Sequence, residues 1–187
     1  MTVPSSIVGL LTFASDPEPY EDTLRAAGAE SLSVEADSTL PNDVRGLCVA
    51  GNGVMVAPSD TIPAILRYAI DAPLPVLAIG TGMQLLNIAF GGGFHAGDVT
   101  PYEPEAEDNG PPHRRRLFLA PGGKIADAIG GAGFVMVSTN QMLSIDNVLQ
   151  APGLIATAHS VEDGMIMALE RPGFYWQVGV RWRQHML

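Results

Sequence analysis

The sequence has one cysteine, Cys48, in 187 residues, and half as many basic residues as acidic ones, 10 against 20. A lone cysteine excludes an intrachain disulfide and any cysteine-based zinc motif. A formal charge of −10 disfavours nonspecific attraction to nucleic acid or to an anionic membrane. No apolar run reaches the length of a membrane span, and the first residues lack a basic stretch followed by an apolar one, so neither insertion nor export is expected. Together these absences predict a cytoplasmic protein. The histidines His95, His113 and His159 stand at spacings that make no ligand set, so neither a metal site nor any other cofactor is expected.

What is present suits one domain over residues 1–187, since 47% of the chain is hydrophobic, enough for a sizeable core. Apolar runs alternate with helical patterns. Ile7–Phe13, Ser31–Val34, Val44–Val49 and Pro75–Ile79 read as strands; Glu18–Ala27, closed by Gly28, Thr61–Ile70 and the segment after Gly82 read as helices. That alternation predicts parallel βαβ units. After a loop rich in Gly, Pro and acids, strands are expected at Leu117–Ala120, Phe134–Ser138, Leu154–Ser160, Gly164–Leu169 and Tyr175–Trp182, with a short helix at Lys124–Ile129. The fold class is therefore α/β: an open, mostly parallel sheet with flanking helices and a β-rich C-terminal half. Cys48 falls inside a strand run, where a small buried hydrophobe is expected. Arg114-Arg115-Arg116, the one basic run, follows Glu103, Glu105, Glu107 and Asp108 and reads as a solvated loop with internal charge pairing.

The most informative stretch is VLAIGTGMQLLNIAFGG, residues 76–92, a strand that stops at Gly80-Thr81-Gly82 and resumes as a helix. Such a turn pushes one side chain outward and aims backbone N–H groups at a developing oxyanion, which is why several hydrolase classes place a nucleophile there. The apex here is Gly80, which has no side chain. Thr81 is the nearest hydroxyl, and His185 is the only credible base for it. Arg183 shares a strand face with His185 by alternation. With the Gly51 and Thr81 N–H groups and the N-terminus of the following helix, Arg183 could hold a small carboxylate or phosphate. The alternative for Arg183 is a surface arginine paired to an acid.

These motifs, in this order, resemble the class I glutamine amidotransferases, most closely the γ-glutamyl-γ-aminobutyrate hydrolase branch, or peptidase C26. The family's P-V-L-G-I-C-R-G-M-Q-L-L-N-V is similar to PVLAIGTGMQLLNI at 75–88, its L-x-L-P-G-G to LCVAGNG at 47–53, and its G-V-Q-W-H-P-E to GVRWRQH at 179–185. LQAPGLIATAHSVEDGMIMALE at 149–170 resembles a further family segment. The resemblance implies the amidotransferase fold with its flavodoxin-like core. It also implies that the nucleophilic cysteine is replaced by Gly80 and the catalytic histidine and glutamate by Arg183 and His185, leaving a degenerate triad and no catalytic residue. Both histidines of the family's V-N-S-x-H-H-Q are missing from the matching stretch, Val137–Leu143. The segment between LCVAGNG and the elbow is short, and Asn52 replaces a glycine there, which alters the mouth of the pocket. The remnant pocket is expected at Gly51, Asn52, Gly80, Thr81, Gln84 and Arg183. The expected role is a catalytically inactive amidotransferase-like protein that works as a binding or structural subunit, with an enzyme subunit or a second copy as partner. The alternatives are an amide hydrolase working through Thr81 and His185, and a sensor of small anions. The apolar ending Met186-Leu187 is read as a surface for a partner.

Overall fold

The structure is a computed structural model that describes residues 6–13, 16–51, 62–93, 114–138, 145, 147–173 and 175–182. Its elements, in chain order, are β1 (Ser6–Thr12), α1 (Glu18–Ala26), β2 (Ala29–Ser33), β3 (Val44–Gly51), α2 (Ala64–Asp71), β4 (Val76–Gly80), α3 (Thr81–Ala89), β5 (Arg114–Leu119), α4 (Lys124–Ile129), β6 (Gly133–Ser138), β7 (Ile155–Ser160), β8 (Ile166–Glu170) and β9 (Gln177–Val180).

The strands form one nine-stranded sheet in the order β2-β1-β3-β4-β9-β8-β7-β5-β6. Pairings from β2 across to β9 are parallel, and those from β9 to β6 are antiparallel. β3, β4 and β9 are buried almost throughout, because helices cover both faces of this half. On one face, Tyr20 of α1 and Ile125 and Ala126 of α4 pack with Leu10, Cys48, Ile79, Val178 and Trp182. On the other, Ile65, Leu66 and Ala69 of α2 and Met83, Leu85 and Leu86 of α3 pack with Leu47, Val49, Val76 and Ala78.

Polar side chains buried at helix ends fix the layers. Gln177 Nε2 donates to the carbonyl of Leu74 at 3.2 Å and of Ala69 at 3.4 Å, so β9 closes the C-terminal end of α2. Glu170, at the end of β8, takes the main-chain N–H groups of Lys124 at 2.7 Å and Ile125 at 2.9 Å and the Thr157 hydroxyl at 2.7 Å. The carboxylate thus caps α4 from a distant strand, where the helix's own N-cap, Gly123, has no side chain to do so.

The arginine run departs from expectation: Arg114–Arg116 opens β5 and is not a loop. Alternation on the strand separates the three side chains. Arg115 pairs with Asp163 and donates to Ser160 Oγ at 3.4 Å, while Arg116 lies 5.6 Å above the Phe134 ring. The acids expected to offset the run, residues 103–108, lie outside the described residues.

Candidate functional site

The elbow is built. β4 ends at Gly80, whose φ of 62° and ψ of −113° are open to glycine and costly for other residues, and α3 begins at the next residue. Across the sheet Gly80 pairs with Gly51, the last residue of β3, so the end of β3 and the elbow stand side by side at the carboxyl ends of adjacent strands.

Three glycines let the turn seat this closely. A Cβ on Gly51 would stand 3.1 Å from Thr81 Cβ and 3.2 Å from Phe13 Cβ. One on Gly82 would run into the Val49 carbonyl, whose carbon is 2.8 Å away, and one on Gly179 of β9 would come within 2.9 Å of Met83 Cγ. Thr81 is wholly buried in this packing. A nucleophile must reach substrate, and this hydroxyl is turned into the protein.

Gln84, in the first turn of α3, is only 5% exposed, and its Oε1 has no hydrogen-bond partner among the described residues. A buried amide oxygen left without a donor is costly unless something satisfies it. Arg181 was missed in the sequence. Since Ile79 pairs with Val180, Arg181, the residue just after β9, has its main chain next to Gly80, and its side chain is buried with the guanidinium donating to Met165 Sδ at 3.3 Å. Burial, and to a lesser degree the nearby Arg115, pull its pKa down to about 10, and Asp163 partly offsets this. The available signal was the arginine standing where the family's G-V-Q-W motif has glutamine.

Asn87 was also missed, although a polar residue inside an apolar helix is a visible signal. It is fully buried on α3, donates to the carbonyls of Gly93 at 2.8 Å and Leu149 at 2.9 Å, and accepts from the N–H of Ala151 at 2.8 Å. It therefore ties the far end of the elbow helix to two loops. Cys48 lies buried within β3, and burial pushes its thiol pKa up to about 12, so it is not a thiolate at neutral pH.

Of the sequence-predicted pocket, the structure brings together Gly51, Gly80, Thr81 and Gln84. Asn52, Arg183 and His185 lie outside the described residues, as do His95, His113 and Thr139–Leu143. Among the described residues no three His, Cys, Asp or Glu side chains could hold a metal, and no helix is long and apolar enough to cross a membrane.

Residues 54–185 match the family model described as Peptidase C26. Over 121 residues the chain is 36% identical to a protein of Mycobacterium tuberculosis named as a glutamine amidotransferase. That match covers 64% of this chain and 38% of the relative's length. Among solved structures, a Thermoplasma acidophilum protein described as one of the subunits of GMP synthase superposes with a TM-score of 0.72 at 15% identity, over 99% of this chain and 87% of that one. A glutamine amidotransferase from Methylobacillus flagellatus superposes with a TM-score of 0.67 at 16% identity, over 100% of this chain and 72% of that one. These likenesses show the class I glutamine amidotransferase fold.

Proposed function

We propose, from the premise that this chain belongs to the Peptidase C26 family, that it is a catalytically inactive glutamine amidotransferase-like protein serving as a binding or structural subunit of a larger assembly. One observation carries the reading: the elbow keeps its special backbone at Gly80 but presents no side chain there. Amide transfer by this fold needs a nucleophile at the apex, a base to deprotonate it and a group to orient the base. Neither Thr81 nor Cys48 is suited to replace that nucleophile, since Thr81 is buried in the Gly51 contact and the Cys48 thiol is buried and protonated.

The retained geometry supports a binding role at the elbow. Gln84 Oε1, buried without a donor among the described residues in the first turn of the elbow helix, is an acceptor for an N–H of a bound molecule, and the buried Arg181 cation, whose main chain follows the strand next to Gly80 and whose guanidinium reaches Met165, adds positive charge to this region that favours a carboxylate or phosphate. A single charge-assisted site of this kind reaches roughly millimolar affinity, about −4 kcal/mol. Titrating the chain with glutamate, glutamine or phosphate should shift the amide resonances of residues 80–82, with no ammonia released. Unmoved resonances at saturating glutamate and phosphate would remove the pocket from the account and leave a structural role alone.

A further inference from the structure

A tight turn over residues 161–165 joins β7 to β8 and pivots on Gly164, at a φ of 71°. Its last residue, Met165, is pinned through the main chain. The Met165 N–H donates to Asp163 Oδ1 at 3.3 Å, the Met165 carbonyl accepts from the Ser160 N–H at 2.9 Å, and Asp163 is held in turn by Arg115. The side chain is half-buried, and its Sδ accepts from the Arg181 guanidinium at 3.3 Å. A thioether is a weak acceptor, whereas a guanidinium is a charged fork of five N–H donors. At this contact a strong donor, on a residue only 6% exposed, meets a poor acceptor.

The other methionines among the described residues are placed differently. Met83 and Met167 are buried in the core, out of reach of solvent, and Met136 is 51% exposed on β6. Met165 alone of these four is both within reach of solvent and in contact with a buried cation through its sulfur.

We infer that Met165 is a site of oxidation by hydrogen peroxide, with Arg181 assisting the transfer and then holding the sulfoxide that it yields. The step balances with peroxide as the sole oxidant. A lone pair on Sδ attacks one peroxide oxygen, the S–O bond forms as the O–O bond breaks, and the sulfur loses the two electrons that the peroxide gains. The departing hydroxide takes the proton of the transferred hydroxyl and leaves as water. Sulfur has a second lone pair for the attack while the first accepts from Arg181, and the guanidinium stabilises the negative charge that builds on the departing oxygen. In the product the sulfoxide oxygen replaces sulfur as the acceptor. Methionine oxidation ordinarily sets a polar oxygen among apolar groups and disrupts them; here that oxygen meets a buried cation. The Cys48 thiol, buried and protonated, does not compete for the peroxide. The elbow takes no part in the step, and the inference stands apart from the catalytic reading.

Peptide mapping by mass spectrometry, after graded hydrogen peroxide treatment of the native chain, reads each methionine separately. Met165 should oxidise at least as fast as the more exposed Met136, while Met83 and Met167 stay reduced. In Arg181→Leu the Met165 rate, taken relative to Met136, should fall about tenfold, the worth of one hydrogen bond to a charged group. The product has a readout of its own. On treatment the parent should lose no more melting temperature than Met165→Leu does, since oxidation elsewhere is common to both. A Met165 that stays reduced while Met136 reacts overturns the inference. So does a Met165 rate that Arg181→Leu leaves unchanged or raises, or a parent whose melting temperature falls further on treatment than that of Met165→Leu. If Arg181→Leu does not fold, the melting comparison decides alone.

Discussion

Gly82 of α3 packs directly on the Val49 carbonyl of β3, with room for a hydrogen and none for a methyl group. That contact sets how close the elbow helix lies to the sheet, and therefore where Gly80 and Gly51 meet. Gly82→Ala must push the helix off the strand, against backbone that has no rotamer to change. A loss of about 3 kcal/mol or more is expected in denaturant unfolding. Gly131→Ala, where an added Cβ meets nothing within 4 Å, should be neutral or slightly stabilising.

Asn87 satisfies three main-chain groups at once, the carbonyls of Gly93 and Leu149 and the N–H of Ala151. Asn87→Ala removes the side-chain donor to the Gly93 and Leu149 carbonyls and the acceptor of the Ala151 N–H, while the Leu149 carbonyl keeps the Gly93 N–H at 2.8 Å, at a cost on the order of 2 kcal/mol by thermal or denaturant unfolding. Asn87→Asp should be worse than a simple loss of donors, because an ionised carboxylate would face the two carbonyls it can no longer bond.

Arg181 is a buried cation whose folded pKa, about 10, lies well below the ordinary value of a guanidinium. The folded state therefore disfavours the charged form. The penalty is fully present below about pH 10 and is relieved as pH rises from there toward the unfolded value. Arg181→Met removes the charge and keeps an apolar stem. It is expected to match or exceed the parent's stability at pH 7, by about 1 kcal/mol, with the difference shrinking above pH 10. Paired melts of parent and variant across that range read the trend directly.

Cys48 tests the burial of β3. With its thiol held protonated to about pH 12, it should resist a thiol-specific reagent in the native protein at pH 8 and react fully once guanidinium unfolds the chain. Rapid reaction without denaturant would mean that β3 opens far more readily than its burial implies.

The order of elements was legible because each is bounded locally. Val76–Ile79 is an apolar run cut by Gly80, and Glu18–Ala26 ends before Gly28, whose φ of 83° suits a helix stop. The elbow was legible for the same reason, since strand, turn and helix lie within 17 residues. What could not be read locally depends on partners far along the chain. Arg115 meets Asp163 across 48 residues, which places the arginine run on a strand; Glu170 reaches the start of α4 across 46, and Asn87 reaches Ala151 across 64. For Arg181 the sequence offers only the change from glutamine in the family's motif, and it takes the β4–β9 register to set its main chain next to Gly80.

Turnover tests the central claim most directly: ammonia release from glutamine, and hydrolysis of γ-glutamyl amides, by the parent chain and by Gly80→Cys. The account predicts background rates for both. On the proposed reading a thiol at the apex has neither a base nor an orienting group, and the variant should lose about 1–3 kcal/mol of stability because φ at that position is 62°. Turnover by the parent that disappears in Thr81→Ala or His185→Ala would contradict the account.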